Sequence, residues 1–414
     1  MRRALPWIAL IGLVPHCGLT DVDALGKPCP CPSSLRCDPA TSTCVAQLGP
    51  PDAATDGSTD AATESSTDAG CSPFSKSSTL AVGRAHACVI RSGKLYCWGA
   101  NDIGQVGLPQ AGANVTSPSQ VLPQVTKFKH VSALDGHTCA LDELSAAWCW
   151  GRSDAGQSLE ISGSGVTAPN QVPSNFPLLT IAAGSAVTYA VTYQDNRLLS
   201  WGDPNGGALG NGCFTGCQTL FSPSQLSTTE LADHVEAGGG TGCAFTHDGR
   251  TLCWGWNLCQ AYAANQAGAP TEVLEPCLRD LSIGNDFLCY IDASGHLFCR
   301  GEIAGVGATN DCLDDKVAIQ SSTTFRSIDA GFAAACAITT TDELWCWGHD
   351  AHQMIASPAG DRAPTQVGAG RSWEEVSVGL QQLCAREKGS NDVYCSGTSE
   401  VVNSPGALEK MVFP

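Results

Sequence analysis

Cysteine is the residue with the most chemistry to offer here, with 23 in 414 positions. Twelve of them fall into six pairs, spaced 9, 10, 10, 10, 10 and 11 apart. The pairs are Cys88 with Cys97, Cys139 with Cys149, Cys243 with Cys253, Cys289 with Cys299, Cys336 with Cys346, and Cys384 with Cys395. The second member often opens a tryptophan-glycine motif, as in "CWGANDIGQVGL" at 97, "CWGRSDAGQSL" at 149 and "CWGWNLCQAY" at 253. Repeated thiols could hold metal, cycle redox equivalents or cross-link. Folded about its midpoint, each interval places its two cysteines opposite one another on a hairpin. The first pair turns at Ser92-Gly93, and two others turn at His247-Asp248-Gly249 and Ala293-Ser294-Gly295, with glycine where φ > 0 is wanted. Opposed cysteines at a non-hydrogen-bonded pair lie within disulfide reach. In the corresponding third unit Tyr189 and Ser200 replace both cysteines together, as a bonded pair predicts. The twelve are therefore read as six disulfides.

The elements that carry these pairs recur seven times from residue 79 onward. An apolar strand ends in glycine ("LAVG", "VSALDG", "IAAG", "VEAGG", "LSIG", "IDAG", "VSVG"), and a second follows ("HACVI", "HTCAL", "VTYAV", "TGCAF", "FLCYI", "AACAI", "QLCAR"). The third holds the motif ("LYCWG", "AWCWG", "LLSWG", "TLCWG", "LFCRG", "LWCWG", "VYCSG"). The fourth has a proline followed by an aliphatic residue ("PSQV", "PNQV", "PSQL", "PTEV", "PTQV", "PGAL"), except in the fifth unit, which has "DKVAI". Proline without an N–H suits an edge strand. Four short strands at a period near fifty predict an all-β, seven-bladed β-propeller.

The order "VSALDGHTCAL", "WCWG", "ANDIGQVGL" resembles the RCC1 repeat, over residues 79–412. The resemblance implies a seven-bladed propeller used as a scaffold, not a shared chemistry. Only His86 and His137 keep the family histidine, and the motif tryptophan becomes Arg300 and Ser396 in units five and seven. The guanine-nucleotide exchange of nuclear family members is not expected, given the acidity of the chain and its missing loop identity.

Other reactive constellations are few. No G-x-S-x-G, H-E-x-x-H, Walker A or Rossmann motif occurs. "THDGRTLCW" is weakly similar to a sialidase Asp-box, but Asp248-Gly249 is explained by a hairpin turn. His86 and His137 share a repeat position and read as polar strand-end groups. Trp98, Trp150, Trp201, Trp254 and Trp347 read as wedges between blades, with Trp98 packed against the next blade. No catalytic, cofactor-binding or metal-ligating residue is assigned, and the chain is read as a non-enzyme. A formal net charge of −18 opposes nucleic-acid capture.

The N-terminus "MRRALPWIALIGLVPHCG" reads as an export signal, with an apolar run too short to span a bilayer. Cys17-Gly18 is similar to a lipoprotein lipobox, which would make Cys17 a lipid attachment site; cleavage after Ala24 is the alternative. Either route exports the chain, to a cell surface or the medium, where cysteines oxidise. Residues 1–24 are thus a signal, 25–47 a small module with Cys29, Cys31, Cys37 and Cys44, 48–72 a disordered acidic linker, and 73–414 the propeller. The remaining six cysteines are matched as Cys213–Cys217, Cys259–Cys277 and, by elimination, Cys71–Cys312.

Binding surfaces belong where the units differ. The loops after Trp201 and Trp254 are long and rich in cysteine, and Phe214, Phe221, Trp256 and Tyr262 are the candidates for partner contact. The function read from this is an exported, monomeric surface scaffold for a protein or glycan partner. A secreted inhibitor of an extracellular hydrolase is the alternative, and a propeller enzyme a third reading.

Overall fold

A computed structural model describes strands Leu35–Asp38 and Thr43–Ala46 and residues 71–414, apart from 72–73, 75, 110–111, 161, 174–176, 215, 227, 256–266, 273, 306–315 and 400. The chain divides into two units, Met1–Thr67 and Asp68–Pro414. In the first, the two short strands pair antiparallel with Cys37 opposite Cys44.

The second unit contains seven four-stranded antiparallel sheets, each made of four consecutive strands. Blade 1 comprises Leu80–Val82, His86–Arg91, Lys94–Gly99 and Val115–Val121. The others span 128–171, 178–225, 232–272, 280–319, 325–367 and 373–410. This is the seven-bladed propeller expected from the repeat. Five prolines of the fourth motif and Pro405 lie in outer strands, where no neighbour needs their N–H.

The glycine after the motif tryptophan survives in all seven units, even where the tryptophan does not. Its φ is positive every time: Gly99, Gly151, Gly202, Gly255, Gly301, Gly348 and Gly397 lie between 94° and 135°. A Cβ there would strike the carbonyl oxygen at the start of the second strand. In six blades the register to the outer strand shifts beside this residue, so the glycine is a bulge that redirects the third strand into its exit loop.

The hairpins fold as the intervals require. Cys88 faces Cys97 across a Ser92-Gly93 turn. Cys139 faces Cys149, Cys243 faces Cys253, and Cys289 faces Cys299. In blades 6 and 7, Cys336 faces Cys346 and Cys384 faces Cys395. All six pairs are disulfides with Cα–Cα separations of 4.0–4.2 Å, the short spacing of non-hydrogen-bonded pairs. Their part is structural: each bond is buried inside its own hairpin, and Cys253 and Cys346, like the other ten, carry no free thiol for chemistry. Tyr189 and Ser200 occupy the same register in blade 3.

One expectation about the wedges is reversed. Each motif tryptophan packs on the preceding blade, not the next. Trp150 of blade 2 joins Cys88 and Cys97 of blade 1, and Trp201 joins Cys139 and Cys149. Trp347 joins Cys289 and Cys299, and Trp98 packs on Cys384 and Cys395 of blade 7. In blade 3 Tyr189 replaces the disulfide as the floor, edge-on to Trp254 at 5.1 Å. In blade 7, which lacks the motif tryptophan, Trp373 of the first strand covers Cys336 and Cys346 of blade 6 instead. The third strand leans back over the blade already laid down, so its bulky residue covers that blade's disulfide.

The Trp98 contact also closes the ring. Blades 7 and 1 exchange no strand; they are joined by Trp98, by Phe413 edge-on to Tyr96 and Trp98, and by Val82 N–H donating to Ser377 Oγ at 3.0 Å.

Candidate functional sites in the channel and on the exit loops

The family-type motif residues prove to be joints. Thr138 Oγ1 donates to the Gln105 carbonyl (3.1 Å), so it accepts the Nε2–H of His86 (2.7 Å). Trp150 Nε1 donates to the same carbonyl at 3.0 Å. The arrangement repeats one blade on, where His137 meets Thr188, and Thr188 and Trp201 both donate to the Gln157 carbonyl. Each glutamine side chain is fixed by its own turn, Gln105 by Ile103 N–H and Asp102, Gln157 by Ala155 N–H and Asp154. Burial pushes His86 down to about 4 and His137 to about 3. Both are neutral at pH 7 and joined to the next blade, which agrees with reading them as strand-end groups.

A second cluster lies along the ring axis, where no sequence motif pointed. The first strands of all seven blades line a channel of about 50 Å³. Opposite the second-strand cysteines, these strands present Ala81, Ser132, Glu236, Ser282, Asp329 and Ser377, with Ala182 opposite Tyr189. Four of these side chains accept a backbone N–H from the following blade: Ser132 from Ala183, Ser282 from Ala330, Asp329 from Val378 and Ser377 from Val82. Two residues earlier, Asp280 accepts from Ile328 N–H, Glu375 from Thr79 and Leu80 N–H, and His130 bonds the Ile181 carbonyl. The polar positions of an otherwise apolar strand are thus inter-blade stitches. In the seven first strands they fall at two equivalent positions, two residues apart.

Ahead of blade 1, Lys76 enters this channel. Its Nζ lies 2.9 Å from Asp280 and 3.2 Å from Glu236. Phe74 stacks on Phe245 at 3.7 Å between ring centroids, and Cys71 is bonded to Cys277. Burial by itself would lower the Lys76 pKa, but Asp280, Glu236 and Asp329 outweigh it and raise it. Burial raises Asp280, and Lys76 only partly opposes it. Asp329 is pushed by burial up to about 7, against the pull of Lys76. In Glu236 the same burial is overcome by Lys76 and His234, which hold it near 2. One ammonium thus faces three carboxylates, of which burial favours the protonated form of Asp280 and Asp329.

The Cys71–Cys277 bond corrects two expected pairings, Cys259–Cys277 and Cys71–Cys312. Cys277 follows the exit strand of blade 4 and meets Cys71 beside Gly249. Sequence spacing favoured a local partner and could not place Cys71 there. Cys213–Cys217 is formed as expected. Cys259 and Cys312 lie outside the described residues, as do Cys17, Trp256 and Tyr262.

Of the contact candidates that are described, Phe214 is half-buried beside the Cys213–Cys217 staple. Phe221 is 42% exposed and lies over Gly156 in the exit turn of blade 2. A cavity of about 530 Å³ opens between the exit loop of blade 3 and neighbouring turns, lined by Asp203, Asn205, Gly240, Asn285 and Asp286. Among the described residues no group of three or more His, Cys, Asp or Glu side chains could hold a metal ion.

Blades of four consecutive strands, a bulging glycine in every third strand and a tryptophan wedge define the class, a repeat-built seven-bladed β-propeller. The model of the Regulator of chromosome condensation (RCC1) repeat matches residues 92–141, and a second RCC1 repeat model matches 325–353. The chain is thus an RCC1-like, repeat-built propeller, an architecture that suggests a protein-interaction scaffold. It is 25% identical to the ultraviolet-B receptor UVR8 of Arabidopsis thaliana over 385 residues, 82% of this chain and 83% of that protein. With the mitochondrial RCC1 domain-containing protein RUG3 of the same plant it shares 28% over 189 residues, 44% of this chain and 42% of the relative. Human WBSCR16 shares the fold at a TM-score of 0.68 and 20% identity, covering 76% of this chain and 88% of that one. Yeast RCC1 (Prp20) shares it at a TM-score of 0.65 and 15% identity, covering 87% and 91%.

Proposed function

We propose that this chain is an exported, monomeric scaffold without enzymatic activity, which holds a protein or glycan partner on its exit loops. The observation that carries the export reading is the set of six cross-strand disulfides, each repeated in register and no more than 1% exposed at either sulfur-bearing residue. Cores that depend on oxidised cysteine pairs suit an oxidising compartment. The N-terminal signal and the Cys17 lipobox agree with that destination, a cell surface or the medium. A protein partner is consistent with the family's use as an interaction scaffold, and yeast RCC1 (Prp20) has been crystallised bound to Kap60.

Partner contact is placed on the exit loops of blades 3 and 4 because the repeated motif residues are buried in joints. Phe221, in the outer strand of blade 3, and the cavity edged by Asp203 and Asp286 are accessible beside the blade 3 loop. The test has two arms. Fractionation of cells making the full chain, with mass analysis of the mature N-terminus, should recover it outside the cytoplasm, either acylated at Cys17 or starting after Ala24. Affinity capture with the folded propeller should lose its partner on F214A/F221A substitution. Cytoplasmic, reduced protein would overturn the export reading. Unaltered capture by F214A/F221A would overturn the placement of the surface. A captured hydrolase, inhibited at equal stoichiometry, would support the inhibitor reading instead.

A further inference from the structure

We infer that Cys71, Phe74 and Lys76 form a redox-locked strap: the Cys71–Cys277 disulfide helps to hold Lys76 as a plug in the acid-lined channel, and reduction of that one bond loosens it. This is independent of which partner the exit loops take.

The eight disulfides among the described residues are not equivalent. The six hairpin bonds lie in the core, with cysteines 0–1% exposed. Cys71 and Cys277 are both half-buried, and their bond closes a span of 206 residues. Cys213–Cys217 is also half-buried, but it closes only four residues within one loop. Thiolate attack on a disulfide requires access to sulfur. A dithiol therefore reaches Cys71–Cys277 before any hairpin staple, and this is the reachable bond whose loss frees a segment.

What remains after reduction is a non-covalent hold, which opens locally where the disulfide did not. Phe74 keeps its stack on Phe245, and Lys76 keeps its pairs with Asp280 and Glu236. Taking these charges out of water opposes much of their mutual attraction. With both ends of the strap tied, local opening around Lys76 is held back from both sides, and cutting Cys71–Cys277 leaves only the Ser78 side to restrain it. The other end stays fixed: Ser78 N–H donates to His130 Nδ1 at 3.0 Å, and Glu375 takes the Thr79 and Leu80 N–H groups. Ser78 is thus the hinge. In the reduction, two electrons and two protons pass from the dithiol to the cysteine sulfurs. Two thiols form, and the reductant leaves as a cyclic disulfide.

Lysine acylation reads the strap directly. In the oxidised protein, Lys76 should react with an acetylating succinimidyl ester at least ~50-fold more slowly than exposed Lys94, because it reacts only on local opening. In C71A/C277A the Lys76 rate should rise at least ~10-fold with Lys94 unchanged. Tryptophan fluorescence reports that the ring is intact. Should the variant not fold, wild-type protein titrated with dithiothreitol and alkylated serves instead, with Cys71 and Cys277 expected to be labelled before the twelve hairpin cysteines. An unchanged Lys76 rate in the folded variant, or simultaneous labelling of hairpin and strap cysteines, would overturn the inference.

Discussion

The indole N–H of Trp150 donates to the backbone oxygen of Gln105, 3.0 Å away on the preceding blade. The same oxygen receives Thr138, so two donors of blade 2 converge on one acceptor of blade 1. Trp347 fills the equivalent wedge between blades 5 and 6, but among the described residues its indole nitrogen has no hydrogen-bond partner. The two wedges therefore separate packing from hydrogen bonding. W150F and W347F both lose ring volume, while among the described contacts only W150F also loses a bond, worth about 1 kcal/mol net. Equilibrium denaturation should show W150F to be more destabilising than W347F by about that amount. Equal losses would mean that the Gln105 bond adds nothing to the packing.

Blade 3 offers a reciprocal test of the disulfides. Tyr189 and Ser200 hold the register of the cysteine pairs, so Y189C/S200C should oxidise to a seventh hairpin bond. The gain from closing so short a loop is about 2–3 kcal/mol. Against it stand the Tyr189 hydroxyl bond to the Ala208 carbonyl (2.6 Å), the Ser200 bond to the Leu209 carbonyl and the edge contact with Trp254. The bond should form, as shown by non-reducing peptide mapping, with no net rise in denaturation midpoint. A clear rise would show that the Tyr189 floor is the weaker device.

Gly151 tests the bulge. Its φ is +94°, and a Cβ would run into the Gly136 carbonyl, so G151A combines a left-handed backbone with a clash. Gly389 has a similar φ of +86° but open space around it. G389A should cost about 1 kcal/mol from the backbone alone. G151A should exceed it, with thermal or chemical denaturation as the measure. Equal costs would remove the steric reason for a glycine after every motif tryptophan.

The repeat, the blade count and the hairpin disulfides were legible because each rests on local spacing. A ten-residue interval centred on a glycine turn, as between Cys243 and Cys253, has few other ways to fold. The direction of the wedge was not legible: Trp98 lies in the first blade and its floor, Cys384–Cys395, at the far end of the repeat array. The same holds for the strap. Lys76 meets Glu236 and Asp280 only because the ring brings the first strands of blades 4 and 5 to one axis. Cys71–Cys277 depends on that path as well, so elimination among unpaired cysteines chose the wrong partner. The contact aromatics were readable as departures from the repeat, which marks a loop as specialised without saying what it binds.

The pH dependence of stability should show two opposed contributions. Burial lowers His86 and His130 to about 4 and His137 to about 3 in the folded chain, below the ordinary value near 6.5. The unfolded chain then binds more protons, so their contribution is full above about pH 6.5 and is lost as pH falls toward 4. Asp329 has the opposite sign. Its folded pKa is raised to about 7, so its contribution is present below the ordinary carboxylate value near 4 and is lost as pH rises through 7. D329N keeps an oxygen to accept the Val378 N–H but cannot ionise. Relative to wild type, the variant should therefore gain stability between pH 5 and pH 8, while the acid-side loss from the histidines persists in both. Denaturation midpoints for the two proteins across that range measure the difference. If the D329N curve runs parallel to wild type from pH 5 to 8, Asp329 is already ionised beside Lys76, and the channel carries one more negative charge than the geometry assigns to it.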